Sequence, residues 1–106
     1  MITFIELNGF SKRRKELLTD ECFRLMQEAL IVNPEAGRRI EGTGGFRKLR
    51  WALPGMGKSG GVRVIYYSLV PKTGRLYLAV IYAKNEQDTL TDTQKAMLKA
   101  LTDKLV

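Results

Sequence analysis

The sequence predicts a small α+β domain: a mainly antiparallel, twisted sheet of about four strands, two N-terminal helices and one C-terminal helix. Three observations carry this. After a β-rich start over 2–7, the hydrophobic pattern takes helical spacing from Ser11 to near Pro34, turns to alternation and β-branched runs over 46–84, and returns to helical spacing over 90–105. The resulting order, β-α-α-β-β-β-α, groups strands together instead of alternating them with helices. A chain of 106 residues, 44% of them hydrophobic, suits one domain, 1–106, with a modest core.

Each element has its own signal. "ITFIEL" (2–7) is β-rich and is expected to join the sheet. "SKRRKELL" (11–18) reads as a short helix with an exposed basic side. Thr19, Asp20 and Glu21 supply capping residues for a second helix, whose Cys22, Leu25, Met26, Ala29 and Leu30 fall at helical spacing. It ends near Asn33-Pro34, because proline disfavours helix in the residue before it. Residues 35–45, with Gly37, Gly42, Gly44 and Gly45, read as irregular.

"FRKLRWAL" (46–53) alternates: Phe46, Lys48 and Arg50 point one way, and Arg47, Leu49 and Trp51 the other. "VRVIYYSLV" (62–70) and "RLYLAVIYAK" (75–84) flank "PKTG" as a hairpin with a four-residue loop. Both runs are apolar on both faces, as central strands are. "LTDTQKAMLKALTDKL" (90–105) is a helix with a Thr91/Gln94 capping box and an apolar stripe of Ala96, Met97, Ala100 and Leu101. The helices are expected to pack on one side of the sheet.

Composition excludes several function classes. No apolar run approaches the roughly 18 residues of a membrane span. The N-terminal basic cluster follows the apolar stretch, the reverse of a secretory signal, so a cytoplasmic location is expected. There is no histidine, and Cys22 is the lone cysteine, which argues against a zinc site or an internal disulfide. The usual general base near neutral pH is therefore missing. Acid–base chemistry falls to lysine, tyrosine, a carboxylate or the substrate itself.

The net charge of +7 is concentrated in the middle of the chain. Residues 37–84 hold ten lysines and arginines against a single acid, Glu41. Such a block is the footprint of a polyanionic partner, since charges that only solubilise are interspersed in sign. Within it, Ala52–Ser59 reads A-x-x-x-x-G-K-S, one letter from a phosphate-binding P-loop. A P-loop needs a helix after it, and "GGVRVIYYSLV" is a strand sequence. The stretch reads instead as a flexible connection between strands, with Lys58 offering a phosphate-seeking charge.

Period-two geometry places Lys48 and Arg50 on one strand face. If Val70 pairs with Arg75 across the hairpin, Arg63 faces Tyr82, with Lys84 diagonally beside them. A one-residue slip would turn Tyr82 and Lys84 away. The cluster Lys48, Arg50, Arg63, Tyr82 and Lys84 suits RNA. Arginine grips phosphate in a bidentate way, tyrosine stacks on an unpaired base, and lysines crowded by cations can move protons.

The run "GTGGFRKLRWALPGMGKSGGVRVIYY", followed by "LYLAVIYAKNE", resembles the RelE/HigB family of type II toxin–antitoxin toxins, with HigB-like members nearest. The likeness spans nearly the whole chain. It implies a RelE-like fold and a ribosome-dependent endoribonuclease (an mRNA interferase) that cuts mRNA in the A site. The substrate's own 2′-hydroxyl attacks the phosphate, with no metal and no other cofactor. It further implies Lys48, Arg50, Arg63, Tyr82 and Lys84 as catalytic residues, with Arg47 and Lys58 binding RNA or ribosome. The implied partners are the 70S ribosome with mRNA, a cognate antitoxin of helix-turn-helix type, and operator DNA through the antitoxin complex only. RelE proper has arginine where this chain has Asn85, and tyrosine where it offers Leu90. Tyr82 and Lys84 are left for those roles, and the choice of general base and acid stays open. Two alternatives remain: a ParE-like inhibitor of DNA gyrase, and a nucleic-acid-binding module without activity.

Overall fold

The computed structural model describes residues 1–53, 61–87 and 89–105. Among these residues nine elements follow one another: β1 (Thr3–Glu6), α1 (Phe10–Leu17), α2 (Asp20–Val32), β2 (Arg38–Arg39), β3 (Arg47–Trp51), β4 (Val62–Leu69), α3 (Val70–Thr73), β5 (Arg75–Ala83) and α4 (Asp92–Leu105). Among the described residues the sheet has five strands in the order β1-β5-β4-β3-β2. The β1–β5 pair is parallel and the others are antiparallel. The strand beyond the expected four is β2, two exposed residues in the segment read as irregular. It has no hydrophobic pattern to betray it. None of the described helices is long and apolar enough to cross a membrane.

The helices cover both faces of the sheet, not one. Phe10 of α1 and Phe23, Met26 and Leu30 of α2 pack on Leu49, Val62, Val64 and Leu78. Leu98 of α4, with Leu90, packs on the opposite face against Phe46, Ile65 and Tyr82. Central strands that are apolar on both sides require two covers. Each buried side chain of this size contributes about 1.5–3 kcal/mol.

Helix caps follow the sequence closely, while the buried stripes differ. Thr19 Oγ1 accepts the Cys22 amide at 3.1 Å to open α2. Thr91 and Gln94 form the reciprocal box, the Gln94 amide donating to Thr91 Oγ1 at 3.1 Å and the Thr91 amide to Gln94 Oε1 at 2.9 Å. In α2 the buried residues are Phe23, Met26 and Leu30, and Leu25 is exposed. In α4 they are Leu98 and Thr102, while Ala96, Met97 and Ala100 face solvent. The α4 stripe is thus turned by about one residue, and a threonine joins it because its hydroxyl finds a buried acceptor.

The β4–β5 connection also differs in detail. Val70 begins a single helical turn instead of pairing, and Leu69 faces Arg75. Pairing then runs in step to Tyr66 opposite Leu78, after which Ile65 faces Val80 and Ala79 is passed over. This β-bulge restores Arg63 opposite Tyr82.

Two polar clamps hold the sheet's far edge. The Tyr66 phenol donates to the Pro34 carbonyl at 2.9 Å and accepts the Gly37 amide at 2.8 Å. Burial pushes its pKa up, which keeps the donating proton in place. Arg47 donates to the Gly37 carbonyl at 2.8 Å. Gly37 has no room for a side chain: a Cβ there would lie 2.9 Å from the Lys48 backbone and from the Tyr66 ring. On the α4 side, Thr102 Oγ1 lies 2.7 Å from the Thr43 carbonyl and shares its proton with the Leu98 carbonyl at 3.0 Å. Gly44, at φ +79°, sits against Thr102, where a Cβ would be 2.9 Å from Cγ2.

Tyr66→Phe leaves the buried Gly37 amide without its acceptor. A loss of about 1–3 kcal/mol is expected, read as a lower urea midpoint with an unchanged slope.

Candidate nucleic-acid interface

Three neighbouring strands place one residue each in a row. Arg50 of β3 faces Arg63 of β4, and Arg63 faces Tyr82 of β5. Directly opposed residues share a sheet face, so all three lie on the side that α4 covers. Lys48 stands two residues before Arg50 and therefore on the same face, with Arg38 of β2 opposite it. Lys84 follows Tyr82 by two, and its amide continues the ladder by donating to the Gly61 carbonyl at 3.0 Å.

Burial sorts these residues into a floor and a rim. Arg63 is 2% exposed, and its guanidinium donates to the Val62 carbonyl at 3.1 Å. Tyr82 is 4% exposed and belongs to the core under α4. The ring is thus placed to wall the row, and stacking on a base would require it to be uncovered. Lys48, Lys84 and Lys95 are half-buried, while Arg38 and Arg50 are exposed.

Lys48 registers the field of the whole group. Its pKa is lowered, first by burial and then by the charges of Arg50, Arg63, Lys84 and Lys95. The neutral amine, which can accept a proton, is therefore more populated than in an isolated lysine. Among the described residues, ion pairs gather elsewhere: Arg13 with Glu16 and Glu86, Arg14 with Asp20, Arg24 with Glu21 and Glu28, and Lys99 with Asp103. Lys48, Arg50 and Lys95 take part in none of them. No three His, Cys, Asp or Glu side chains of the described residues come together to hold a metal.

The expected cluster of Lys48, Arg50, Arg63, Tyr82 and Lys84 is thus assembled. Arg47 is not part of it: it points to the other face and is held by the Gly37 carbonyl. Lys58 lies outside the described residues. The chain after it forms β4 and not a helix, which is incompatible with a P-loop. Two cations escaped the sequence analysis. Arg38 sits on a strand too short to show a pattern. Lys95 lies three residues before buried Leu98, and placing the α4 stripe on Leu98 would have brought it to the sheet. No protein-family model matches the chain.

Arg50 opposite Arg63 is a like-charge pair, which weakens a sheet. Arg50→Thr is expected to raise stability by about 0.2–1 kcal/mol in urea denaturation.

Proposed function

We propose that this chain is a RelE/HigB-type toxin, an endoribonuclease that cuts mRNA in the A site of the 70S ribosome. The row Arg50–Arg63–Tyr82, flanked by Lys48 and Lys84, is the observation that carries this. A fixed line of cations on a rigid sheet matches the needs of phosphodiester cleavage by the RNA's own 2′-hydroxyl. Lys48, in its neutral form, takes the 2′-hydroxyl proton. The 2′-oxygen bonds to phosphorus, and the bond to the 5′-oxygen breaks. Exposed Arg50 holds the phosphoryl oxygens as negative charge grows on them, Arg63 in the floor beneath adds its positive field, and Lys84 returns a proton to the departing oxygen. The protein works in the cytoplasm, needs no cofactor, and is neutralised by a cognate antitoxin of helix-turn-helix type. It reaches operator DNA only through that complex.

The test is direct. Purified protein added to translating ribosomes should yield cleaved message, and Arg63→Gln should lower the rate by about 10²–10³ while the circular dichroism spectrum is kept. Intact message with the wild-type chain sinks the reading. Inhibition of gyrase supercoiling under the same conditions would replace it with the ParE-like alternative.

A pH profile tests the role of Lys48. A lysine base is active once deprotonated, so the single-turnover rate should rise with pH and level off above its pKa. That limb should lie below the ordinary lysine value of 10.5. Removing a neighbouring cation by Lys95→Ala lets the Lys48 pKa climb, which should move the limb to higher pH. A limb unmoved by this change would assign the base elsewhere.

A further inference from the structure

The turn that carries Lys84 is closed by a carboxylate. Strand β5 ends at Ala83, and the Lys84 amide donates to Gly61, where the chain enters β4. In an antiparallel ladder alternate residues turn their N–H and C=O to the same neighbour. The N–H and C=O of Ala83 therefore face away from β4, toward the side of β1. But β1 stops at Glu6, opposite Leu78, so among the described residues no strand reaches them. Glu86 meets both. Its Oε1 accepts the Ala83 amide at 3.1 Å, and its own amide donates to the Ala83 carbonyl at 3.0 Å.

The same Oε1 accepts a second donor from another element. Arg13 Nη2 of α1 reaches it at 2.5 Å, and Arg13 Nη1 donates to Glu16 Oε1 at 2.9 Å, one turn along the helix. Glu16 thus orients the guanidinium, and the guanidinium holds the carboxylate on the turn. At the other end Gln87 Nε2 donates to Gln94 Oε1 at 2.7 Å, within the cap of α4. The segment 84–87 is strung between helices that cover opposite faces of the sheet.

We propose that Arg13 and Glu86 are positioning residues for Lys84, fixing the turn on which it stands at the end of the basic row. An exposed ion pair adds little to global stability, so its effect here is local. The inference rests on the proposed function, in which Lys84 returns a proton to the departing 5′-oxygen. Both residues act through Lys84 and not on the RNA. A reacting group misplaced by about 1 Å loses up to about 10²-fold in rate.

Two messages separate positioning from folding. One has the ordinary 5′-oxygen at the cut; the other has sulfur there, which departs without a proton. On translating ribosomes, in single turnover, Arg13→Ala and Glu86→Ala should each slow cleavage of the ordinary message about tenfold. The sulfur-bridged message should be cut at an unchanged rate. Arg13→Lys, which keeps the ion pair, should recover most of the loss. In a Lys84→Ala background, Arg13→Ala should have no further effect. Amide hydrogen exchange at Ala83 and Glu86 should quicken in Arg13→Ala, with the urea midpoint unchanged. The proposal is overturned if both messages slow alike, if the losses from Arg13→Ala and Lys84→Ala multiply, or if exchange at Ala83 is unaffected. A wild-type chain that cuts neither message gives a different failure. It removes the endoribonuclease reading, and the catalytic consequence with it, whatever the exchange shows.

Discussion

The arrangement of the basic face depends on one residue that the ladder leaves out. Between Leu78 and Val80, Ala79 has no partner on β4. Had pairing continued in the step set by Leu69 and Arg75, Arg63 would face Ile81, and Tyr82 would share the side of Val62, under α1 and α2. The bulge exchanges them. Ile81 goes into the α1–α2 core, and Tyr82 comes up beside Arg63. A single inserted residue thereby decides which side chains of β5 belong to the core and which to the basic face, as a period of two requires.

The two faces of the sheet are used differently. The α1–α2 side is filled by aliphatic and aromatic side chains, with Phe10 tilted against Phe23 at 6.2 Å and Arg14 lying over the Phe23 ring at 4.5 Å. The α4 side divides its area. Phe46, Ile65 and Leu98 make a smaller core at one end, and the cations occupy the rest. Like charges held together on a rigid surface oppose folding. The larger core and the caps of α2 and α4 offset them. The two clamps serve the same end. Tyr66 and Arg47 fix Gly37 and thereby seat Arg38 opposite Lys48, and the Thr43–Thr102 contact fixes α4 over the row.

Much of this was legible beforehand where a local pattern is strong. Thr19 and the Thr91/Gln94 box were readable because a cap is a contact between residues three apart. β3, β4 and β5 were readable from alternation and β-branching, and so were Lys48, Arg50 and Arg63 as neighbours in them. The stripes of α2 and α4 were misplaced because several apolar positions compete on a short helix, and the sheet selects among them. Leu25 and Met97 lost to Phe23 and Leu98 in that selection.

The sequence by itself determined the elements other than β2 and α3, their order, the concentration of positive charge in the middle of the chain and the absence of histidine. These are properties of composition and of contacts a few residues apart. Tertiary structure alone decided that α4 crosses to the second face, that two residues at Arg38 become a strand, that a bulge at Ala79 brings Tyr82 to Arg63, and that Lys95 joins the field around Lys48. Each of these joins residues distant along the chain. Their free energy comes from packing and from desolvated charge, neither of which is written in any local period.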